Sequence, residues 1–166
     1  GVASKWSVSP DGLTWNFTIR EGVKFHNGED LTIEDALFSM EDTYGKVAKV
    51  DSPFTGVPLD TVSIKAIGND IVVTHKKPLP FFPYTSADMS SNNRGAIVPK
   101  AYFEKVGRDG YDEAPIGAGP FKFVSHAQNY RMVFERFDDY YNPERLSQFR
   151  VLEMLLVPEQ STRVAA

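Results

Sequence analysis

Between Leu13 and Ile19 the sequence alternates without a break. Leu13, Trp15, Phe17 and Ile19 are large and apolar, and Thr14, Asn16 and Thr18 between them are small and polar. Successive side chains of an extended chain point to opposite faces, so this period of two describes a strand with one face to bury and one left to polar groups. A helix, with its period of about 3.6 residues, would scatter the same apolar groups around its circumference. Pro10-Asp11-Gly12 just upstream has turn chemistry and follows an extended run from Lys5, so the strand is expected as the second arm of a hairpin.

Further turn signals divide the chain beyond Ile19. Arg20-Glu21-Gly22 leads into the short extended run Val23 to His26, which ends at the Asn27-Gly28 corner. Thr32 is placed as a helix N-cap, and Asp35 can accept from the Thr32 backbone N–H to close a capping box. Ile33, Leu37, Met40 and Tyr44 recur at helical spacing on one face, Glu34, Glu41 and Asp42 fall toward the other, and Gly45 offers a stop. Lys46 to Pro58 has no period and reads as a loop. Val62 to Ile67 and Ile71 to His75 are β-rich runs divided by Gly68-Asn69-Asp70, which predicts a second hairpin.

Pro78, Pro80 and Pro83 keep any helix around Phe81 and Phe82 short or broken, and place those two rings in a core. Trp6 and Trp15 are read as packing residues of the first hairpin. Ala96 to Val98 is expected as a brief strand and Lys100 to Val106 as a short helix ending at Gly107. Three extended runs come later, at Phe121 to Val124, Arg131 to Phe137 and Phe149 to Val157. The last is so apolar that it is expected in a central sheet, covered on both faces.

Composition removes several classes of function. With 18 basic and 22 acidic side chains the net charge is -4, so no sequence-wide basic field invites nucleic acid or an anionic membrane surface. There is no cysteine, hence no disulfide, thiolate nucleophile or cysteine metal site. No window is apolar for long enough to span a bilayer, and no basic stretch followed by an apolar one opens the sequence, so any targeting signal is expected outside it. His26, His75 and His126 lack metal-ligand spacing and are expected at the surface or at strand ends.

The adjacent acids Glu34-Asp35, Glu41-Asp42 and Asp138-Asp139 read as a cap, a solvated helix face and a turn, not as paired catalytic carboxylates. A nucleophilic serine has no Gly-x-Ser-x-Gly elbow to carry it. Gly117-Ala118-Gly119 is followed by Pro120 and a strand where a phosphate loop would need a helix, so Gly117, Gly119 and Pro120 are expected as a flexible hinge or crossover. The stretch from Tyr84 to Arg94 mixes an aromatic, a thioether and many hydrogen-bonding groups. Tyr84, Met89, Ser91, Asn92, Asn93 and Arg94 are the candidate ligand-binding residues: amides of a bound peptide would suit the serine and asparagines, a carboxylate would suit Arg94, and varied side chains would suit the apolar groups.

Several strings taken together resemble family 5 of the bacterial extracellular solute-binding proteins, the peptide- and nickel-binding type that serves ABC importers. They are Lys5-Trp6-Ser7-Val8-Ser9-Pro10-Asp11-Gly12-Leu13-Thr14-Trp15, Arg20-Glu21-Gly22-Val23-Lys24-Phe25-His26-Asn27-Gly28, Leu31-Thr32-Ile33-Glu34-Asp35-Ala36, Gly117-Ala118-Gly119-Pro120-Phe121 and Arg136-Phe137-Asp138-Asp139-Tyr140-Tyr141. Pro158-Glu159-Gln160-Ser161-Thr162-Arg163 is similar to the family's strand-to-helix junction.

The resemblance implies a mixed α and β fold (α+β), a fragment of the class II periplasmic-binding-protein architecture in which two lobes close on a ligand. It implies that residues 1–23 supply first-lobe strands, 24–116 an accessory subdomain, and 117–166 further first-lobe strands with the start of a helix. The acidic residue that pairs with a peptide's amino terminus in such proteins would lie in a lobe this sequence lacks. The implied function is capture of an extracytoplasmic solute, most simply a di- or oligopeptide, and its delivery to an ABC permease, without catalysis and without a cofactor. The implied location is the periplasm or the cell surface. The rival readings are a ligand sensor on the same scaffold and a hydrolase of peptides or sugars.

Overall fold

The structure, a computed structural model, describes residues 1–41, 61–87 and 95–157. Its first turn is built as the sequence predicts. The Asp11 carboxylate accepts from the Ser9 hydroxyl at 2.5 Å and from the Leu13 amide at 3.0 Å, while Gly12 turns the chain at φ 72°. Those hydrogen bonds hold the Asp11 carboxyl below its ordinary pKa. A Cβ at position 12 would meet the Pro78 Cβ at 3.0 Å, so both the dihedral and the space select glycine there.

The turn joins β1 (Ala3–Val8) to β2 (Thr14–Ile19). The second hairpin joins β3 (Thr61–Ile67) to β4 (Asp70–His75) through Gly68 at φ 59° and Asn69. Asp70 belongs to the strand and not to the loop, because its carboxylate takes the Thr18 hydroxyl at 2.5 Å across the sheet. The four strands form one antiparallel sheet in the order β1-β2-β4-β3, so strands on both sides of residue 23 share a sheet.

Register explains the core. Trp15 lies opposite Val8 and Val73, and Phe17 opposite Trp6 and Ile71, so these six side chains share the apolar face. The polar face carries Thr14 against Thr74 and Thr18 against Asp70. Trp15, Ile19, Val23, Phe25, Leu31, Ala36, Ile71, Val73 and Phe82 form the buried cluster. Trp6 is a correction to the sequence reading: it points to the core face but sits on the edge strand, beyond the layer that covers β2 and β4, and stays 60% exposed.

Helix α1 (Ile33–Met40) packs on β3 and β4 and carries the expected capping box. The Thr32 hydroxyl accepts from the Asp35 amide, and the Asp35 carboxylate accepts from the Thr32 amide at 2.9 Å. The other carboxylate oxygen of buried Asp35 accepts from the Lys100 amide at 2.8 Å. One side chain thus satisfies exposed amides at the starts of two helices, a role invisible in the local pattern. The expected continuation to Tyr44, the Gly45 stop and the Lys46 to Pro58 loop lie outside the described residues.

Helix α2 (Phe82–Ala87) is short, as the prolines require. No strand forms at Ala96 to Val98. The Val98 amide instead donates to the Ser39 hydroxyl at 3.0 Å, so this segment docks on α1 and not on a sheet. Helix α3 (Lys100–Glu113) extends past the expected end, with a break at Gly107 where φ is 71° and ψ is -178°. The glycine does end the first helical stretch, and the chain then resumes helical turns to Glu113.

Strands β5 (Phe121–Ala127), β6 (Arg131–Arg136) and β7 (Val151–Leu155) make a second antiparallel sheet in that order. The expectation that the last strand is covered on both faces fails among the described residues. β7 is at the edge, and Val151, Met154 and Leu155 are exposed. Its apolar sequence specifies a surface to cover, and nothing in the described residues covers it.

Asp35→Ala removes acceptors from three amide or hydroxyl donors and is expected to cost about 2 kcal/mol or more in denaturant unfolding of the intact protein. Asp35→Asn keeps a side-chain carbonyl and should lose less. Equal stability of Asp35→Ala and the unaltered protein would contradict this assignment.

Candidate functional site

Two parts of the predicted site fall within the described residues: the head of α2 and the chain entering β5. Phe82 is 1% exposed, with its ring edge-on to His75 at 4.4 Å and to Phe17 at 5.9 Å. Its neighbours turn the other way: Phe81 is 72% exposed and Tyr84 77% exposed. The expectation of a core place therefore holds for Phe82 and fails for Phe81, because a single helical turn anchored by Phe82 must face the adjacent ring outward. Tyr84 is a free-standing aromatic at the start of the predicted ligand-binding stretch. Met89, Ser91, Asn92, Asn93 and Arg94 lie outside the described residues.

The crossover is built around His26. Its backbone N–H donates to the Gly117 carbonyl at 2.8 Å, and the Gly117 N–H donates to Nδ1 of the His26 ring at 3.2 Å. Nε2 lies 3.0 Å from the Gly119 carbonyl oxygen. An Nδ1 that accepts and an Nε2 that must donate define one neutral tautomer, with its proton on Nε2. The ring also stands edge-on to Phe137 at 5.1 Å, and the Phe137 amide donates to the Pro120 carbonyl at 2.9 Å. Burial moves the His26 pKa below 6.5, opposed by the Gly119 carbonyl and aided by the Lys122 charge, which favours that neutral ring.

The dihedral freedom that glycine offers is not drawn on at this crossing. Neither Gly117 nor Gly119 has a positive φ. A Cβ at 117 would touch His26 at an ordinary 3.6 Å, and one at 119 would meet nothing within 4 Å. The preceding residues are also tied down. The Tyr102 hydroxyl donates to the Ala114 carbonyl at 2.9 Å and the Tyr111 hydroxyl donates to the Ile116 carbonyl. Burial is the chief cause that pushes the Tyr111 phenol up to about 12.

His26 is the residue of this crossing that sequence reasoning missed. Its partners lie some 91 residues away, and the only local signal is a histidine set between a buried aromatic and a glycine corner. Of the other histidines, His126 is exposed, and His75 is buried at the end of β4 with Nδ1 3.2 Å from the Thr61 hydroxyl.

A shallow groove of about 390 Å³ lies between the Phe25 corner and the start of α3, flanked by Asp30, Asp35 and Lys100. Two of its acids are already engaged: Asp30 with Lys24 at 2.9 Å, Asp35 with the two helix starts. Asp138 is likewise held by Arg136 at 2.7 Å, as a turn residue should be. Among the described residues no group of three or more histidines, aspartates or glutamates is arranged to hold a metal ion. No described helix is long and apolar enough to cross a membrane.

Comparison with known proteins matches residues 1–166 to the family described as bacterial extracellular solute-binding proteins, family 5 Middle. The dipeptide-binding protein of Escherichia coli is 28% identical over 99% of this chain and 34% of its own length. The nickel-binding periplasmic protein of the same organism is 25% identical over 99% of this chain and 30% of its own. Among solved structures, the ABC transporter-associated periplasmic binding protein DppA of Helicobacter pylori, in complex with the peptide STSA, superposes with a TM-score of 0.80 at 24% identity. That superposition covers 99% of this chain and 35% of the other. The chain therefore spans about a third of the length of the relatives it matches.

Because position 119 is open and its backbone conventional, Gly119→Ala is expected to leave thermal stability within about 0.5 kcal/mol, or raise it slightly by restricting the unfolded chain. Loss of the folded state on that substitution would show that the crossing does need glycine.

Proposed function

The chain belongs to family 5 of the bacterial extracellular solute-binding proteins, and from that premise we propose that it is one part of a substrate-binding protein of an ABC importer. Its mixed α and β structure is a portion of the class II, two-lobed periplasmic-binding-protein fold. The solute is an extracytoplasmic peptide of two or a few residues, which the whole protein captures and hands to a membrane permease. The observation that carries this reading is the family match over residues 1–166, supported by relatives named for dipeptide binding and solved with a bound peptide. In this reading residues 117–166 belong to the first lobe, while β1 and β2 go with β3 and β4, whose sheet and core they share, so that no boundary falls at residue 23. The exposed apolar side chains of β7 then meet the rest of that lobe.

Within this scheme Tyr84, Met89, Ser91, Asn92, Asn93 and Arg94 form one wall of the cleft. Tyr84 suits that task physically, since a large ring standing in water gains most by covering an apolar part of a ligand. A wall alone cannot bury most of a ligand, so affinity belongs to the closed two-lobed protein.

Native mass spectrometry of the intact protein, purified without refolding, tests the ligand class. Peptides of two to a few residues should be released on denaturation; a different small molecule, with peptides failing to bind on addition, would overturn the peptide assignment. Tyr84→Ala should weaken peptide binding about tenfold in calorimetry, in the range of one lost aromatic contact, with the unfolding midpoint unchanged because the side chain is exposed. Unchanged affinity would remove Tyr84 from the wall.

A further inference from the structure

We propose that His26 is a proton-sensitive clasp: its neutral ring holds the corner after β2 to the chain that enters β5, and uptake of a proton loosens that hold. Donors and acceptors around the ring decide which form fits. The Gly117 N–H points at Nδ1 from 3.2 Å, and the Gly119 carbonyl faces Nε2 at 3.0 Å. A neutral imidazole with its proton on Nε2 satisfies both. An imidazolium carries a proton on each nitrogen, so Nδ1–H would face the Gly117 N–H donor to donor. The bond to Gly117 is then lost, and ring and chain must move apart.

The surroundings favour the neutral ring. Phe137 presents its ring edge from the end of β6, and the facing backbone of residues 117–120 is uncharged. The charge that bears on the ring from β5 is the Lys122 ammonium, which disfavours a second positive charge and is itself 3.2 Å from Glu135 on β6. On the ring's own corner, Lys24 is paired with Asp30, and Glu29 accepts from the Asn27 side chain. No carboxylate is hydrogen-bonded to the imidazole among the described residues.

This environment sets the direction of the pH response. The His26 pKa in the clasped state lies below the 6.5 of an exposed histidine, with burial as the largest cause. Above 6.5 both clasped and open states are neutral and the clasp is at full strength. As the pH falls through 6.5 the open state takes up protons first and the clasp weakens, until the pH passes the clasped-state pKa and the loss levels off. The setting of the second sheet against the first becomes looser in acid, at the crossing between them.

Amide hydrogen exchange on the intact protein, corrected for the intrinsic pH dependence of exchange, reads this out. Between about pH 7.5 and about pH 5 the protection of the Gly117 amide should fall about tenfold, while amides in the centre of β2 and β4 keep theirs. His26→Gln can still donate to the Gly119 carbonyl but cannot titrate, so its Gly117 protection should be flat across that range. Lys122→Met leaves every atom of the clasp in place and serves if His26→Gln fails to fold; by raising the clasped-state pKa toward 6.5 it should make the loss of protection smaller. Flat protection in the unaltered protein, an unchanged response in His26→Gln, or an undiminished loss in Lys122→Met would each overturn the proposal.

Discussion

His26 sets its ring between two backbone groups that lie some 91 and 93 residues further along the chain, and the geometry of the chain turns on that placement. The first sheet has its own core, closed by α1, α2 and the Val23 to Leu31 corner. The second sheet reaches that core through the stretch from Gly117 to Pro120 and through Phe137. The imidazole touches both routes, by hydrogen bonds to the first and by ring contact with the second. A half-buried ring with both nitrogens engaged costs little to desolvate, and each bond it makes satisfies a polar backbone group that would otherwise need water.

The two sheets differ in how far they are finished. Around β2 and β4 the apolar face is sealed, and the side chains at its centre have under a tenth of their surface in water. Around β7 apolar side chains face outward, although Phe121 and Phe149 stack at 5.3 Å and Phe123 meets Phe134 at 6.0 Å. A chain that covers about a third of its relatives' length, with one closed core and one open sheet, fits a piece of a larger clamp. In the proposed reading, solute capture is a property of that clamp. The described part supplies the scaffold and an exposed tyrosine at the edge of the proposed wall.

Local chemistry is readable in the sequence because it acts over a few residues. Asp11 and Gly12 make a turn wherever they stand, Thr32 and Asp35 cap a helix, and Gly68-Asn69 closes a hairpin. Alternation tells which face of β2 is apolar, but not how far the covering layer extends, and so Trp6 reads as a core residue when it is not. The same gap makes β7 read as a strand covered on both faces. Ala96 to Val98 has strand-like composition, yet Ser39 offers its amide a partner that no local rule contains. His26 is the hardest of all. Its role depends on the meeting of two segments far apart in sequence, and a histidine carries no mark of which nitrogen will donate. For the candidate ligand-binding stretch, composition suggests a wall, and Tyr84 is the member of it whose exposure the structure describes.

The most direct test of the clasp that orders this chain is the protonation state of one ring. Long-range nitrogen–proton correlation spectra of the intact protein, labelled at histidine and assigned with His26→Gln, report it at about pH 7.5, well above the ordinary histidine value. The neutral tautomer with its proton on Nε2 is the result expected. A proton on Nδ1, or an imidazolium at that pH, would contradict the arrangement by which His26 joins the two sheets.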